Sequence, residues 1–172
     1  MATIRVLNGQ ETIDALPELC DVLAECVKGG ASVGFMLPFS PRDAEPFWRS
    51  VAENVGEGGT IHVVAEVDGR VVGTVQVGLA SKPNQPHRGD LMKLLVHPEA
   101  RGLGLARKLM EKAEREAAAR GRTLLVLDTA TGSDAEAIYP RLGWQRVGVI
   151  PDYALFPDGS YCGTTLFYKR IG

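Results

Sequence analysis

Residues 91–106 read Leu-Met-Lys-Leu-Leu-Val-His-Pro-Glu-Ala-Arg-Gly-Leu-Gly-Leu-Ala, and this stretch decides the fold. Residues 91–96 form a nearly continuous apolar run, which is typical of a strand buried at the centre of a sheet. Two glycines, Gly102 and Gly104, follow in a short turn. The apolar spacing over residues 102–120 then predicts a helix that ends before Gly121. A strand, a glycine turn and a helix in this order predict a mixed α/β fold.

The glycine turn is predicted to bind an anion. The first N–H groups of a helix have no partner within the helix and lie at the positive end of its dipole. Gly102 and Gly104 carry no side chain, so a phosphate can come close to the backbone. Arg101 adds a positive charge beside them. We therefore expect the backbone N–H groups of residues 101–106 to hold a pyrophosphate.

Two other glycine-rich turns that bind phosphate have sequence patterns that do not match this one. A nucleotide P-loop requires G-x-x-x-x-G-K-[ST], which is absent. A dinucleotide-binding turn requires G-x-G-x-x-G after the first strand and an acidic residue about 20 positions later. Here the sixth position is Arg107, residue 122 is arginine, and the turn follows the fourth predicted strand. A helix start with two tight-turn glycines and no ligand stays open as an alternative.

The rest of the chain predicts one domain over residues 1–172, with element order β-α-α-β-β-β-α-β-α-β-β. Asp68-Gly69 between two alternating runs is the strongest hairpin signal. The seven strands are expected at residues 4–7, 61–67, 70–79, 91–96, 124–127, 144–150 and 164–169. The other helices are expected at residues 11–28, 41 to about 55, and 134–142.

Composition narrows the function. The formal charge is 19 − 21 = −2, so no basic field collects nucleic acid or an anionic membrane. No signal peptide or apolar run long enough to span a bilayer is present. Three cysteines fit a reducing, cytoplasmic location, and no His or Cys pair has the spacing of metal ligands. The isolated histidines His62, His87 and His97 carry no predicted role, and His97 is expected to be a plain loop residue.

Arg101-x-x-Gly104-x-Ala106 after a strand resembles the acetyl-CoA-binding motif of the GNAT superfamily of N-acetyltransferases. The strand order resembles theirs along the whole chain. Further segments resemble the tabtoxin-resistance acetyltransferases of that superfamily. These segments are residues 29–36, 82–84, 93–94, 127–129, 135–137, 139, 146–148 and 157–159. The resemblance implies the GNAT fold, a mostly antiparallel sheet of about seven strands with about four helices. It also implies acetyl-CoA as cosubstrate, with no metal.

The resemblance also implies roles for individual side chains. Tyr139 matches the tyrosine near the coenzyme sulfur and is the candidate general acid; a core aromatic is the alternative. Asp128 and Asp90 match carboxylates proposed to deprotonate the substrate, and either could instead bind a cationic amine. The relatives have a glutamate in place of Asp90, so the shorter aspartate is expected to act through water. A turn cap for Asp128 and a solvated strand end for Asp90 stay open.

The same resemblance predicts the residues that hold acetyl-CoA. The free edge of the central strand would bind the pantetheine arm and supply an oxyanion donor near Leu95. The full set is Leu94, Leu95, Val96, Arg101, Gly102, Leu103, Gly104, Leu105, Ala106, Ser133 and Tyr139.

The amine that accepts the acetyl group is the part of the function that the sequence determines least. The best expectation is a small amine, such as a tabtoxin-like toxin or an antibiotic, attacked directly in a ternary complex. The apolar loop at residues 29–36 suggests a lid over such a molecule. A protein or peptide amine is one alternative, and a non-catalytic acetyl-CoA-binding module is another. The sequence leaves the oligomeric state open, with a homodimer as one option.

Overall fold

The computed structural model describes residues 1–172 and contains one seven-stranded sheet, which confirms the predicted fold class. The strands are β1 (Ala2–Leu7), β2 (Thr60–Val67), β3 (Arg70–Leu79), β4 (Arg88–Val96), β5 (Leu124–Ala130), β6 (Gln145–Leu155) and β7 (Tyr161–Arg170). The helices are α1 (Gly9–Asp14), α2 (Leu16–Lys28), α3 (Pro41–Gly56), α4 (Leu105–Ala119) and α5 (Ile138–Arg141). Two 3₁₀ turns cover Pro98–Ala100 and Asp134–Ala137.

The strand order is β1-β2-β3-β4-β5-β7-β6, and β4 with β5 is the only parallel pair. The β2–β3 hairpin turns at Asp68 and Gly69, whose φ angles are 51° and 77°. Positive φ at both positions is what a two-residue hairpin turn of this hand requires, and an Asp-Gly pair supplies it. The predicted hairpin is therefore confirmed.

The structure has five α-helices where about four were expected, because the helix predicted over residues 11–28 divides at Ala15. Pro17 has no N–H to donate, and its ring would clash with the carbonyl four residues earlier, so a single helix through it is disfavoured, although α3 does continue through Pro46. Pro17 instead lies in the first turn of α2, where proline is tolerated. Farther along, the helix expected at residues 134–142 is a 3₁₀ turn followed by the short α5.

Helices cover both faces of the sheet. One buried cluster of 18 residues joins α4 to the strands, and a second of 15 residues joins α2 and α3 to the opposite face. Leu91 belongs to the first cluster and Leu95 to the second. Burial on both faces explains why β4 lacks a simple apolar–polar alternation. No helix combines the length and apolarity that crossing a membrane requires.

An opening lies at the centre of the sheet, between β4 and β5. The two strands pair only through Arg88–Leu124, Gly89–Leu125 and Asp90–Val126, and the pairing then stops. On the other side of β4, the register with β3 shifts between Gln76–Met92 and Thr74–Leu95. Lys93 and Leu94 are therefore bulged out of the ladder, and Lys93 has a φ of 55°. The bulge bends β4 where β5 leaves it.

Candidate acetyl-transfer site

The glycine turn lies directly before α4, but the helix begins at Leu105 rather than at Gly102 as predicted. Gly102 and Gly104 have φ angles of 82° and 70°, which lie outside the right-handed helical region. Gly104 is the N-cap, and a side chain there would be strained by the backbone angle. No atom lies within 4 Å of a Cβ built on either glycine, so the space above the turn is open.

The start of α4 presents a row of free donors. The Arg101 N–H donates to the Pro98 carbonyl (3.4 Å), whereas none of the N–H groups of residues 102–107 donates to a carbonyl in the turn. No side chain caps the helix, and its first turn holds no acidic residue. Six backbone donors at the positive end of a 15-residue helix can therefore meet an anion. The geometry moves the predicted donor set one residue along, from 101–106 to 102–107.

The side chain of Arg101 lies near Cys26 of α2, a neighbour that no local sequence pattern predicts. Burial raises the pKa of the Cys26 thiol, and the neighbouring guanidinium of Arg101 offsets part of that rise. The thiol donates to the Val96 carbonyl (3.5 Å) at the end of β4. Cys26 therefore links α2 to the strand end that leads into the glycine turn, in its neutral form.

The edge of β4 that faces the opening has alternating free groups. His97 donates its N–H to the Val72 carbonyl (2.8 Å), which marks a hydrogen-bonded pair with β3. Such pairs alternate along an antiparallel ladder, so Leu95 also bonds to β3 and Val96 turns its N–H toward the opening. Leu94 lies in the bulge and has no residue directly opposite it on β3. The register therefore gives Val96 a free donor next to the predicted oxyanion position at Leu95.

Tyr139 of α5 lies in the core and beside the opening at once. It is 4% exposed and packs against Phe167, with ring centroids 5.5 Å apart. Burial raises the pKa of Tyr139 to about 12; a hydrogen bond with the Thr129 side chain opposes this rise and the charge of Asp128 adds to it. The hydroxyl is therefore protonated at neutral pH. The structure therefore shows the packing role of Tyr139, and proton donation by its hydroxyl stays a prediction.

Asp128 and Asp90 lie on the same face of the sheet, opposite Leu91 and Leu127. Asp128 lies two residues beyond Val126, the last residue of β5 that pairs with β4, and is therefore within the opening. Its carboxylate accepts a hydrogen bond from the Thr164 hydroxyl of β7 (2.7 Å), and the strand continues past it to Ala130, so it does not cap a turn before Thr129.

Asp90 lies where β4 and β5 are still paired, and it forms an ion pair with Arg88 (2.6 Å). Its carboxylate already has a cationic partner, whereas Asp128 has only a hydroxyl. Of the two predicted carboxylates, Asp128 is therefore the one placed to receive a proton or an ammonium group.

Ser133 has a local structural task. Its hydroxyl accepts a hydrogen bond from the Glu136 N–H (3.4 Å) and caps the 3₁₀ turn that leads into α5. Glu136 in turn accepts from the Thr165 hydroxyl (2.9 Å), which fastens this turn to β7. The segment that carries Tyr139 is thereby fixed to the sheet.

The acceptor side of the opening is lined by aromatic rings and one lysine. Phe35 contacts Phe39 and Phe47, with ring centroids 4.8 and 5.5 Å apart. The Lys93 ammonium lies 5.7 Å from the centroid of the Phe47 ring. Lys93 is a residue whose role sequence reasoning missed; the available signal was a single lysine inside the apolar run of residues 91–96.

The loop expected to be a lid is hydrogen-bonded to the far end of the sheet. The Ser32 hydroxyl donates to the Leu155 carbonyl (2.9 Å), and the Leu37 N–H donates to the Pro157 carbonyl (3.0 Å). Phe35 of the same loop contacts Phe47 of α3. The loop is therefore held between α3 and the β6–β7 hairpin in this structure.

The expectation that His97 is a plain loop residue is wrong. It is buried, its Nε2 lies 3.3 Å from an Asp21 carboxylate oxygen, and its Nδ1 accepts from the Glu99 N–H (3.2 Å). Asp21 also accepts from Arg70 (2.7 Å). His97 thus fixes the backbone just before the glycine turn. No three His, Cys, Asp or Glu side chains are grouped as a metal site would require.

Comparison with known proteins agrees with this geometry. Residues 31–144 match the model of the Acetyltransferase (GNAT) family. An uncharacterised N-acetyltransferase of Azospirillum brasilense is 36% identical over 128 residues, which cover 73% of this chain and 74% of that protein.

Two solved structures have the same fold. An N-acetyltransferase of Staphylococcus aureus Mu50 has a TM-score of 0.81 at 17% identity, covering 100% of this chain and 99% of that one. An acetyltransferase of Salmonella typhimurium, solved with its cofactor acetyl-CoA, has a TM-score of 0.77 at 19% identity, covering 100% and 95%. The family match, the relative and the shared fold lead to one conclusion: the chain belongs to the acetyltransferase (GNAT) family and is an acyltransferase enzyme.

Proposed function

We propose that this enzyme transfers the acetyl group of acetyl-CoA to the amine of a small molecule, by direct attack in a ternary complex. One observation carries the proposal: the free donors at the start of α4 and the opening between β4 and β5 are joined by the end of β4. Tyr139 and Asp128 lie beside that opening. A long ligand with an anionic end and a reactive end fits this arrangement.

In this proposal the backbone N–H groups of residues 102–107 bind the pyrophosphate, and Arg101 adds a positive charge. The β4 edge binds the pantetheine arm like an added strand, because its groups have lost their partners on β5. The cofactor-binding residues proposed are Leu94, Leu95, Val96, Arg101, Gly102, Leu103, Gly104, Leu105, Ala106, Ser133 and Tyr139. Acetyl-CoA supplies the thioester, and the chain supplies binding, orientation and proton transfer.

The amine attacks in its neutral form, so an ammonium acceptor first gives one proton to the solvent. The amine nitrogen then attacks the thioester carbon, a C–N bond forms, and the carbonyl oxygen becomes an oxyanion held by a backbone N–H at the bulge of β4. The C–S bond then breaks, and the thiolate takes the proton of the Tyr139 hydroxyl. The proton released by the amine passes to Asp128, directly or through water. Asp128 acts on Tyr139 electrostatically, and returning this proton to the phenolate restores both groups.

Asp90 and Asp128 are proposed to have different roles in the reaction. Asp128 is the base or the amine anchor because nothing cationic neutralises it within the distance of an ion pair. Asp90 acts through water and holds Arg88 at the joint of β4 and β5. Replacing each by asparagine separates the roles: a lost basic limb in the pH–rate profile identifies a base, and a raised KM alone identifies an anchor.

The proposed acceptor is a small amine, with tabtoxin-like toxins and antibiotics as first candidates. The support is the resemblance to tabtoxin-resistance acetyltransferases in segments that include residues 29–36. In this chain that loop is bonded to the chain near Leu155 and Pro157, and its Phe35 contacts Phe47, the ring over which Lys93 lies. A small molecule is therefore favoured over a protein amine.

The test is release of the CoA thiol from acetyl-CoA in the presence of a panel of amines. We expect release that depends on both the amine and Asp128. The Asp128→Asn variant should lose most of the rate, whereas Asp134→Asn, at an exposed residue of a 3₁₀ turn, should keep it. Binding of acetyl-CoA with no release for any amine would instead indicate a non-catalytic module.

A further inference from the structure

Lys93 occupies an unusual position for a lysine. It lies at the bulge in the middle of β4, at the centre of the sheet, and is half-buried. Its φ of 55° is a backbone angle that non-glycine residues rarely adopt. A strained backbone at a half-buried charge is a feature that commonly marks a functional position.

The ammonium group of Lys93 lacks a hydrogen-bond acceptor and an ion-pair partner within the chain. The ammonium lies over the face of the Phe47 ring, 5.7 Å from the centroid. An aromatic face compensates a cation only in part and does not replace its hydrogen-bond acceptors. Three N–H donors are therefore available to a ligand in the acceptor site.

One buried donor without a partner lies on the neighbouring strand. Gln76 is directly opposite Met92, the residue before Lys93, and its buried Nε2 has no hydrogen-bond partner. Buried donors without acceptors are rare in native proteins, and a ligand with acceptor oxygens is one way to satisfy them.

Asp128 provides the opposite charge on the other side of the opening. It is close enough to act on Lys93, because the charge of Asp128 raises the pKa of the lysine against the lowering caused by burial. The two groups nevertheless form no ion pair within 4 Å. The Lys93 ammonium and the Asp128 carboxylate are therefore complementary to a ligand that carries an anionic group and an ammonium group, the first at Lys93 and the second at Asp128.

We infer that Lys93 binds an anionic group of the acceptor, and that the acceptor is a zwitterion of the amino-acid type, with its amine at Asp128. This inference rests on the proposed acetyl transfer to a small amine and narrows the acceptor class. A carboxylate, phosphinate or phosphonate beside the amine would suit the Lys93 ammonium, and a polycationic amine would be repelled by it. Lys93 is thus a specificity-determining residue.

The test compares neutral L-amino acids with their own carboxamides as acceptors, which removes the anionic charge at nearly constant shape. Rates are measured as complete pH profiles, because the two amines differ in basicity. For the wild-type enzyme we expect kcat/KM to be about 10-fold to 100-fold higher for the acid, the range of a hydrogen bond to a charged group. This comparison requires no variant.

Lys93→Met should remove that preference by lowering kcat/KM for the acid while leaving the carboxamide nearly unchanged. Lys93→Arg, which keeps the charge, should restore part of the preference. Lys28→Met, at an exposed lysine at the end of α2, is the matched control and should change neither. Unchanged binding of acetyl-CoA shows that each variant is folded.

Two outcomes would overturn the inference while acetyl transfer stands: equal use of acid and carboxamide by the wild-type enzyme, or an equal loss of both rates in Lys93→Met, which would make Lys93 part of the general chemistry. Absence of thiol release with every amine, carboxamides and polyamines included, would instead contradict the proposed function.

Discussion

The starts of α3 and α4 differ in how their first N–H groups are satisfied. At α3, Ser40 and Asp43 form a capping box: the Asp43 N–H donates to Ser40 (3.4 Å), and the Ser40 N–H donates to the Asp43 carboxylate (2.8 Å). At α4, Gly104 has no side chain to act as a cap, and no acidic residue lies in the first turn. The start of α3 is capped by its own side chains, and the start of α4 leaves its first N–H groups free.

This difference separates a structural helix start from a functional one. A capped N-terminus contributes to stability, by about 1 kcal/mol for the cap. An uncapped one with glycine on its approach gives up that contribution and gains an anion site. The glycine turn is therefore predicted to affect coenzyme binding more than folding, and the α3 cap the reverse.

The largest expected effect comes from giving α4 the carboxylate that α3 has. Arg107 is the third residue of α4, as Asp43 is of α3, so Arg107→Asp would place an anion among the free donors. Repulsion of a phosphate about 5 Å away is worth about 3 kcal/mol at an effective dielectric constant of about 20, or roughly 10²-fold in Kd. Titration calorimetry with CoA measures it.

The control for that variant is Arg115→Asp, which makes the same change of charge in the middle of α4 on an exposed face. It should leave the Kd for CoA within about threefold, since exposed charges more than a Debye length away are screened. Arg107→Asp should also leave the melting temperature unchanged or slightly raised, because a carboxylate favours a helix N-terminus. Equal losses of affinity in both variants would show that only net charge matters.

Binding and chemistry should separate at Tyr139. Tyr139→Phe removes the hydroxyl beside Thr129 and Asp128 but keeps the ring that packs on Phe167. We expect kcat to fall by about 10²-fold, the range of a general acid, with the Kd for CoA unchanged. A kcat loss under about threefold would remove Tyr139 from proton donation.

Helix α3 packs on a buried histidine, His62, whose protonation should make the stability of the fold depend on pH. Trp48 of α3 stacks on His62, which is buried between Thr12 and Thr74. Burial lowers the pKa of His62 to about 4 from an ordinary value of 6.5. The unfolded chain therefore binds a proton below pH 6.5 that the folded chain refuses until about pH 4, and stability is lost as the pH falls through this window.

From pH 7 to pH 5 this residue should cost about 2 kcal/mol of the free energy of unfolding. Chemical denaturation at both pH values measures the loss. His62→Gln keeps hydrogen-bonding groups of similar reach but does not titrate, so its stability should depend less on pH over the same range. Identical pH dependence in both proteins would contradict the account of His62.

The smallest expected effect is at the α3 cap. Ser40→Ala should lower the free energy of unfolding by about 1 kcal/mol and leave CoA binding unchanged. Gly104→Ala is its counterpart: a Cβ at a φ of 70° costs about 1–2 kcal/mol of stability and also shifts the turn, so here affinity should fall as well. Denaturation curves and CoA titrations on the same two variants give all four values.

The fold could be predicted from the sequence largely because its signals are local. Asp68-Gly69 specifies a hairpin turn, and the glycine turn of residues 102–104 precedes α4 as expected. The break between α1 and α2 also has a local signal, since Pro17 favours it, but the periodic apolar residues on either side concealed it.

The site could be predicted only in part, because it depends on how strands meet. The apolar run of residues 91–96 gave no indication that β4 bulges at Lys93, since a bulge is a relation between β3 and β4. Cys26 lies near Arg101, and Lys93 near Phe47, through packing of elements that are distant in sequence. Burial of His97 likewise depends on Asp21 of α2.

The most direct test of the account is calorimetric titration of the folded protein with CoA, phosphopantetheine and pantetheine, which share one arm and differ in phosphate groups. If the free N–H groups of residues 102–107 hold the pyrophosphate, CoA should bind with one site per chain. Its Kd should be at least about tenfold lower than that of pantetheine, as charge-assisted hydrogen bonds to phosphate require. Equal affinity for CoA and pantetheine, or no binding of CoA, would contradict the account.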